Sequence, residues 1–150
     1  MSFGRRASEG TNEAVSQDQV LLALRLFSGG VFVVFGIGKF VNRASELASF
    51  KSYGLPAPET FVIVIGLIEL VGGLLLMTGV VTRPAALVLA GDMIGAIVVS
   101  GLAKGELISL TLAPAELVAM LVLVWMGPGR HVIDVGRIGS VTLRYGKKVT

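Results

Sequence analysis

Five ionisable side chains stand inside, or at the end of, long apolar stretches: Arg25, Lys39, Glu69, Asp92 and Glu116. At the centre of a membrane helix an Asp, Lys or Arg costs roughly 2.5–3.5 kcal/mol on insertion scales, so charges kept there face a bundle interior and pair, or mark a ligand or proton route. A base with several acids can hold a proton on a neutral acid, donate it to a ligand carbonyl, or pass it on. The chain has no cysteine, which excludes a CxxC redox pair, an iron–sulfur cluster and a thiol nucleophile within it. Its one histidine, His131, excludes a bis-histidine haem and a Glu-x-x-His di-iron site. Carboxylates alone could hold a hard cation, but the arginine argues against a metal site. No catalytic residue and no covalent cofactor is expected. Electrons in any redox role must travel through a bound organic molecule or a partner.

The elements that carry these residues follow from composition. Of 150 residues, 53% are hydrophobic and 15% charged, with a mean hydropathy of +0.82, which is outside the range of ordinary soluble domains. Four apolar runs, over residues 19–40, 60–79, 84–103 and 107–126, each approach the roughly 20 residues that cross a bilayer core. The fold class expected is therefore all-α, a four-helix transmembrane bundle. Residues 43–54 are too short and polar to span. Their modest apolar stripe predicts a short periplasmic interfacial helix between spans one and two, stopped by Leu55-Pro56-Ala57-Pro58. Residues 1–18 read as a mobile cytosolic tail and 130–150 as a basic cytosolic tail, with weak alternation at Ser140–Tyr145 that suggests a short hairpin. With four spans, Arg5, Arg6, Arg83, Arg130, Arg137, Arg144, Lys147 and Lys148 fall on one side, and Lys39, Arg43, Lys51 and Lys104 on the other. The excess puts both termini in the cytosol. The net charge of +3 reflects this topology and does not call for nucleic acid.

Counting about 1.5 Å per residue from the side of the termini, Arg25 starts about 9 Å in, Asp92 about 13 Å, and Glu69 and Glu116 about 15 Å. Four helices thus bring one arginine and three acids to a common layer, where Arg25 is expected to pair with them. One arginine cannot neutralise three carboxylates, so at least one is expected to be a neutral acid. Lys39, at the far end of its span, is expected to snorkel to the interface. Small residues mark packing faces: Gly29, Gly30, Gly36 and Gly38, then Gly66, Gly72 and Gly73, and the GxxxG pair Gly91–Gly95. A structural reading stays open beside the functional one, with the charges serving only to fix register and packing.

Four segments then carry a resemblance: FGIGK (Phe35–Lys39) closing the Arg25 helix, YGLPAP (Tyr53–Pro58), IELVGGLLLMTG (Ile68–Gly79) and GPGRHVID (Gly127–Asp134). In order and spacing they resemble the DoxX-like family of small bacterial membrane proteins, over roughly residues 20–134. Asp92 and Glu116 lie outside those segments. The resemblance implies a bacterial inner-membrane protein. Some members are subunits of a thiosulfate:quinone oxidoreductase, and others accompany superoxide dismutase and a sulfurtransferase in an oxidative-stress complex. The leading expectation is a small subunit of a membrane redox assembly that contacts quinone or another lipid-soluble molecule. Arg25 would orient a ligand oxygen, and Glu69 with Asp92 or Glu116 would supply protons. Two alternatives stand beside it: a membrane anchor or assembly factor that recruits a soluble partner through the basic tail, and a proton-coupled transporter of a small solute. The partners expected are the lipid bilayer, soluble or membrane redox proteins and a second copy of the chain.

Overall fold

The structure is a computed structural model that describes residues 3–133, with side chains from Gln17 to Ile133. The chain forms α1 (Phe3–Val41), α2 (Arg43–Ser52), α3 (Pro58–Thr78), α4 (Thr82–Ala96), a π-helical continuation (Ile97–Leu102), and α5 (Leu107–Met126). No strand occurs among the described residues, and the hairpin expected at Ser140–Tyr145 lies outside them. Four helical stretches are long and apolar enough to cross a membrane: Gln17–Val41, Pro58–Thr78, Thr82–Leu102 and Leu107–Met126. Their lipid-facing sides carry Phe27, Val34, Leu87, Val118 and Trp125, all well exposed in the isolated bundle. The protein is a multi-pass membrane protein built as a four-helix bundle.

Two local features go beyond these expectations. The N-terminal segment is helical from Phe3 and runs into the first span without a break. No proline interrupts it, and once a span has nucleated a helix each added turn costs little. The third span is also not uniformly α. Its last turn, Ile97–Leu102, widens into the π form. Such widened turns are often found at functional sites.

The start of α1's apolar stretch and the end of α5 lie at one end of the bundle, here the terminal end. Helix α2 and the loop between the π turn and α5 lie at the other. The closest pairing is α1 against α3, followed by α4 against α5. Glycines spaced seven apart make the first pairing possible. A Cβ on Gly73 would stand 2.6 Å from the Gly29 carbonyl oxygen, and one on Gly36 would stand 2.7 Å from the Leu70 nitrogen. Two backbones therefore touch along a seam from Gly29 to Gly36. The GxxxG pair, by contrast, joins no seam within the bundle, because a Cβ on Gly91 or Gly95 meets nothing within 4 Å. Four fully buried apolar side chains, Leu76, Leu89, Met120 and Leu123, fill the terminal half. The α2 half is packed differently and holds a cavity.

Candidate functional site

The two basic residues of α1 meet opposite fates. Arg25 is 1% exposed, and its guanidinium donates to four backbone carbonyls: Leu76 O at 2.8 Å, Met77 O at 3.1 Å, Pro128 O at 2.7 Å and His131 O at 2.7 Å. No carboxylate is among its partners. The last carbonyls of a helix have no intrahelical donor, and α3 ends at Thr78, so Met77 O is such an orphan, while Leu76 O shares Arg25 with the Gly79 cap N–H. Gly79 closes α3 at φ +79°, and a Cβ there would lie 2.5 Å from the Arg25 guanidinium, so this position needs glycine on both counts. After α5, the Gly127-Pro128-Gly129 turn brings the chain back over the bundle end. There Ile133 N donates to Thr78 O at 3.0 Å, and Asp18 accepts from Arg130. The expected pairing of Arg25 with the three acids is thus corrected. The side chain reaches towards the terminal end, where carbonyls satisfy its fixed fork of donors.

Lys39 takes the place expected of Arg25. Instead of snorkelling, its Nζ donates to Glu69 Oε2 at 2.7 Å, and both side chains are about nine-tenths buried. The position at the end of the apolar run suggested an exit to the interface. However, α2 folds over this end of the bundle, and Glu69 one helix away offers a closer partner.

Lys39, Glu69, Asp92 and Glu116 line one cavity of about 480 Å³, within the usual range for small-molecule sites. Phe32, Phe35, Ile68 and Leu112 supply much of its apolar wall. Asp92 Oδ2 and Glu116 Oε2 are buried without a hydrogen-bond partner, and Glu116 is 3% exposed. Glu116 follows Pro114, which has no N–H to continue the α5 ladder. Of the sequence-predicted residues, the structure therefore gathers Lys39, Glu69, Asp92 and Glu116, and sets Arg25 apart.

Sequence reasoning missed the mouth of the cavity. Tyr53, at the end of α2, donates to Glu106 Oε2 at 3.1 Å, and Ser109 Oγ donates to the same oxygen at 3.0 Å. Ser109 is also hydrogen-bonded to Ser100 on the π turn. These links tie α2 to the start of α5 across the cavity entrance. Burial, and then the Glu106 carboxylate, push the Tyr53 phenol above its usual pKa. One signal in the sequence could have found this group: Glu106, Ser109, Ala113 and Glu116 recur at helical spacing on a single face of α5. Among the described lining residues five are acids and Lys39 is the one cation, so the site is richer in acid than the sequence reading allowed.

The DoxX family model matches residues 20–102, a stretch that holds Lys39, Glu69 and Asp92 but not Glu116. Over 133 residues the chain is 32% identical to an uncharacterized membrane protein of Mycobacterium tuberculosis, covering 76% of this chain and 78% of the relative. Over 77 residues it is 39% identical to a Bacillus subtilis protein named "Putative oxidoreductase CatD", covering 51% of this chain and 56% of that one. No solved structure matches.

Proposed function

The chain belongs to the DoxX family of membrane proteins, and on that footing we propose that it is a small redox-assembly subunit of the bacterial inner membrane whose task is to bind a quinone or a similar lipid-soluble carbonyl compound. The observation that carries this reading is the cavity, with apolar walls around Lys39 and the unpartnered oxygens of Asp92 and Glu116. Buried polar atoms without partners are rare, and a site built to hydrogen-bond a ligand has them when empty. A quinone has two carbonyl oxygens joined by an apolar ring, so it needs donors inside apolar walls. Lys39 Nζ, held by Glu69, can donate to one oxygen. A protonated Asp92 or Glu116 can donate to the other, and the same acids can hold the protons that accompany reduction. The quinone itself would supply the electron-carrying chemistry. Its reductant would be a partner protein, since the chain has no cysteine. The oxidoreductase name of the Bacillus relative agrees with this direction. The uneven distribution of Lys and Arg supports the proposed orientation, with both termini in the cytosol and α2 in the periplasm.

The test is native mass spectrometry of protein purified gently from its own membrane, with the extracted lipids identified. A quinone retained by the wild type and lost in Lys39→Met and Glu116→Gln is the expected result. A bundle that carries only phospholipid removes the ligand reading.

One observation favours a second reading, that of an anchor. Arg25 and Thr78 fix residues 128–133 against the bundle, so the basic segment beyond them starts from a held point. Deleting residues 135–150 separates the two. Loss of a co-purifying soluble partner with ligand retained supports recruitment through the tail, and unchanged recruitment removes it.

A further inference from the structure

Gly91 and Gly95 lie one turn apart on α4, on either side of Asp92, and both line the cavity. Both are also exposed at the outer surface of the bundle, and a Cβ on either meets nothing within 4 Å. Within the bundle they therefore do not serve helix contact, unlike Gly29, Gly36 and Gly73, whose missing side chains make room for a neighbouring backbone. What they do is lower one wall of the cavity where it reaches the surface. Val88 on the same helix and Phe61 on α3 also line the cavity, and they are 54% and 38% exposed. The pair α3–α4 is closed towards the terminal end, where a Cβ on Gly72 would stand 3.0 Å from Leu89. Along Gly91–Gly95 it is open. At its inner end the same cavity holds the unpartnered Oε2 of Glu116, a residue 97% buried. The space thus runs from buried polar groups to an apolar edge that faces lipid.

We propose that this opening is a lateral portal into the bilayer, occupied by the hydrocarbon chain of the ligand whose polar ring sits against Lys39, Asp92 and Glu116. The inference rests on the ligand reading above and narrows it, because the ligand class becomes an amphiphile with a carbonyl-bearing ring and one long apolar chain. A water-borne solute has no use for an exit whose edges are Val88 and Phe61. A quinone tail is too long for a cavity of about 480 Å³ and must leave it somewhere. An exit facing lipid lets the tail stay in the solvent it prefers while the ring is bound.

The experiment measures binding of two probes to the purified protein in lipid nanodiscs: a dimethoxy-methyl benzoquinone without a side chain, and the same ring with a decyl chain. The proteins are the wild type, Gly91→Leu, Gly95→Leu, and Gly30→Leu as a control at a helix glycine with open space outside the cavity. Leucine at exposed helix positions favours the helix over glycine, so the fold is kept, and circular dichroism and gel filtration confirm that. The expected result is that Gly91→Leu and Gly95→Leu weaken the decyl probe by about tenfold or more while the tail-free probe keeps its affinity, and Gly30→Leu changes neither. Equal loss of both probes assigns the glycines to the ring site and overturns the portal. No loss of either probe means that the tail leaves elsewhere and overturns it as well. If the wild type binds neither probe, the failure lies in the ligand reading, and the portal goes with it.

Discussion

Arg25 and Lys39 stand on one helix, about 21 Å apart at a rise of about 1.5 Å per residue, and both are cations in apolar surroundings. Arg25 finds only backbone carbonyls, in a half of the bundle filled by Leu76, Leu89, Met120 and Leu123. Lys39 finds a carboxylate beside a cavity whose other acids keep unpartnered oxygens. Burial and charge are alike in the two places, and the difference lies in what is left over. Each nitrogen of the Arg25 guanidinium has a carbonyl, so the group holds the structure together, and the two unpartnered hydroxyls of that half, Ser28 Oγ and Thr82 Oγ1, do not line the cavity. Around Lys39 the acceptors exceed the donors, and that surplus faces the cavity, where it is available to a ligand or a proton. A charge within a membrane helix marks a site when the unsatisfied groups around it open onto a cavity.

The comparison breaks most readily at Arg25. Arg25→Met leaves the Met77, Pro128 and His131 carbonyls without that donor and Leu76 O with only the Gly79 N–H. Each such group costs roughly 1–3 kcal/mol, so a loss of about 3 kcal/mol is expected, seen as a fall in yield and in the thermal transition in detergent. Arg25→Lys keeps the charge but not the fork, and is expected to fall between. Quinone affinity of whatever remains folded should be unchanged. A stable Arg25→Met that binds no quinone would reverse the roles assigned to the two cations.

The glycine seam gives the next largest effect. Gly73→Ala places a Cβ within 2.6 Å of the Gly29 carbonyl oxygen, and neither backbone can yield without parting α1 from α3. Overpacking of this kind costs about 1–3 kcal/mol, whereas Gly91→Ala, with open space around it, is expected to be neutral or slightly stabilising. Paired melting curves of the two variants test whether the terminal half and the cavity half differ in packing as described.

Lys39 should show the opposite balance. Lys39→Met strands the Glu69 carboxylate, but the cavity gives water a way to reach it, so the expected stability loss is about 1–2 kcal/mol. Quinone binding should fall by at least about tenfold. Adding Glu69→Gln removes the stranded charge, so the double variant should recover stability without recovering binding. Recovery of both would make the pair internal glue, like Arg25. Asp92→Asn and Glu116→Gln should cost little stability, because each keeps one carbonyl oxygen and the amide nitrogen can take the place of Asp92 Oδ2 or Glu116 Oε2, which have no partner to lose.

Much of this was legible in the sequence, because length and hydropathy dictate spans in a bilayer. The four spans, the short helix at 43–54 and the buried acids all follow from that rule. Arg25 was misplaced because rise per residue locates a Cα and not the head of a long side chain. Its partners are backbone carbonyls at the end of α3 and after α5, which leave no mark in side-chain chemistry. The position of Lys39 predicts snorkelling, because nothing in its own segment shows that α2 folds over it. The GxxxG pair Gly91–Gly95 makes no contact within the bundle, whose seam repeats every seven residues on α1 and α3, as Gly29 with Gly36 and Gly66 with Gly73. Spacing shows that a helix face is smooth, but not whether a helix or a ligand lies against it.

The smallest expected effect concerns the strap over the cavity mouth. The Tyr53 phenol donates to Glu106, and both burial and that carboxylate disfavour the phenolate, raising its pKa. A group whose pKa is raised on folding binds its proton more tightly in the folded state. Its contribution to stability is therefore fully present below the unfolded value near 10 and lost as pH rises through the folded value. The strap should thus hold throughout the neutral range and loosen only in strong alkali. Ultraviolet titration of the tyrosinate should show a late component that disappears in Tyr53→Phe and moves to lower pH in Glu106→Gln. One such hydrogen bond contributes about 1 kcal/mol, so Tyr53→Phe should leave the melting curve nearly unchanged. What it should change is access. If α2 closes the entrance, loosening it will speed the exchange of bound quinone in both directions and leave the equilibrium affinity almost the same. A fall in affinity with unchanged rates would instead place Tyr53 in the ring site with Lys39, and the boundary between site and strap would have to be drawn further out.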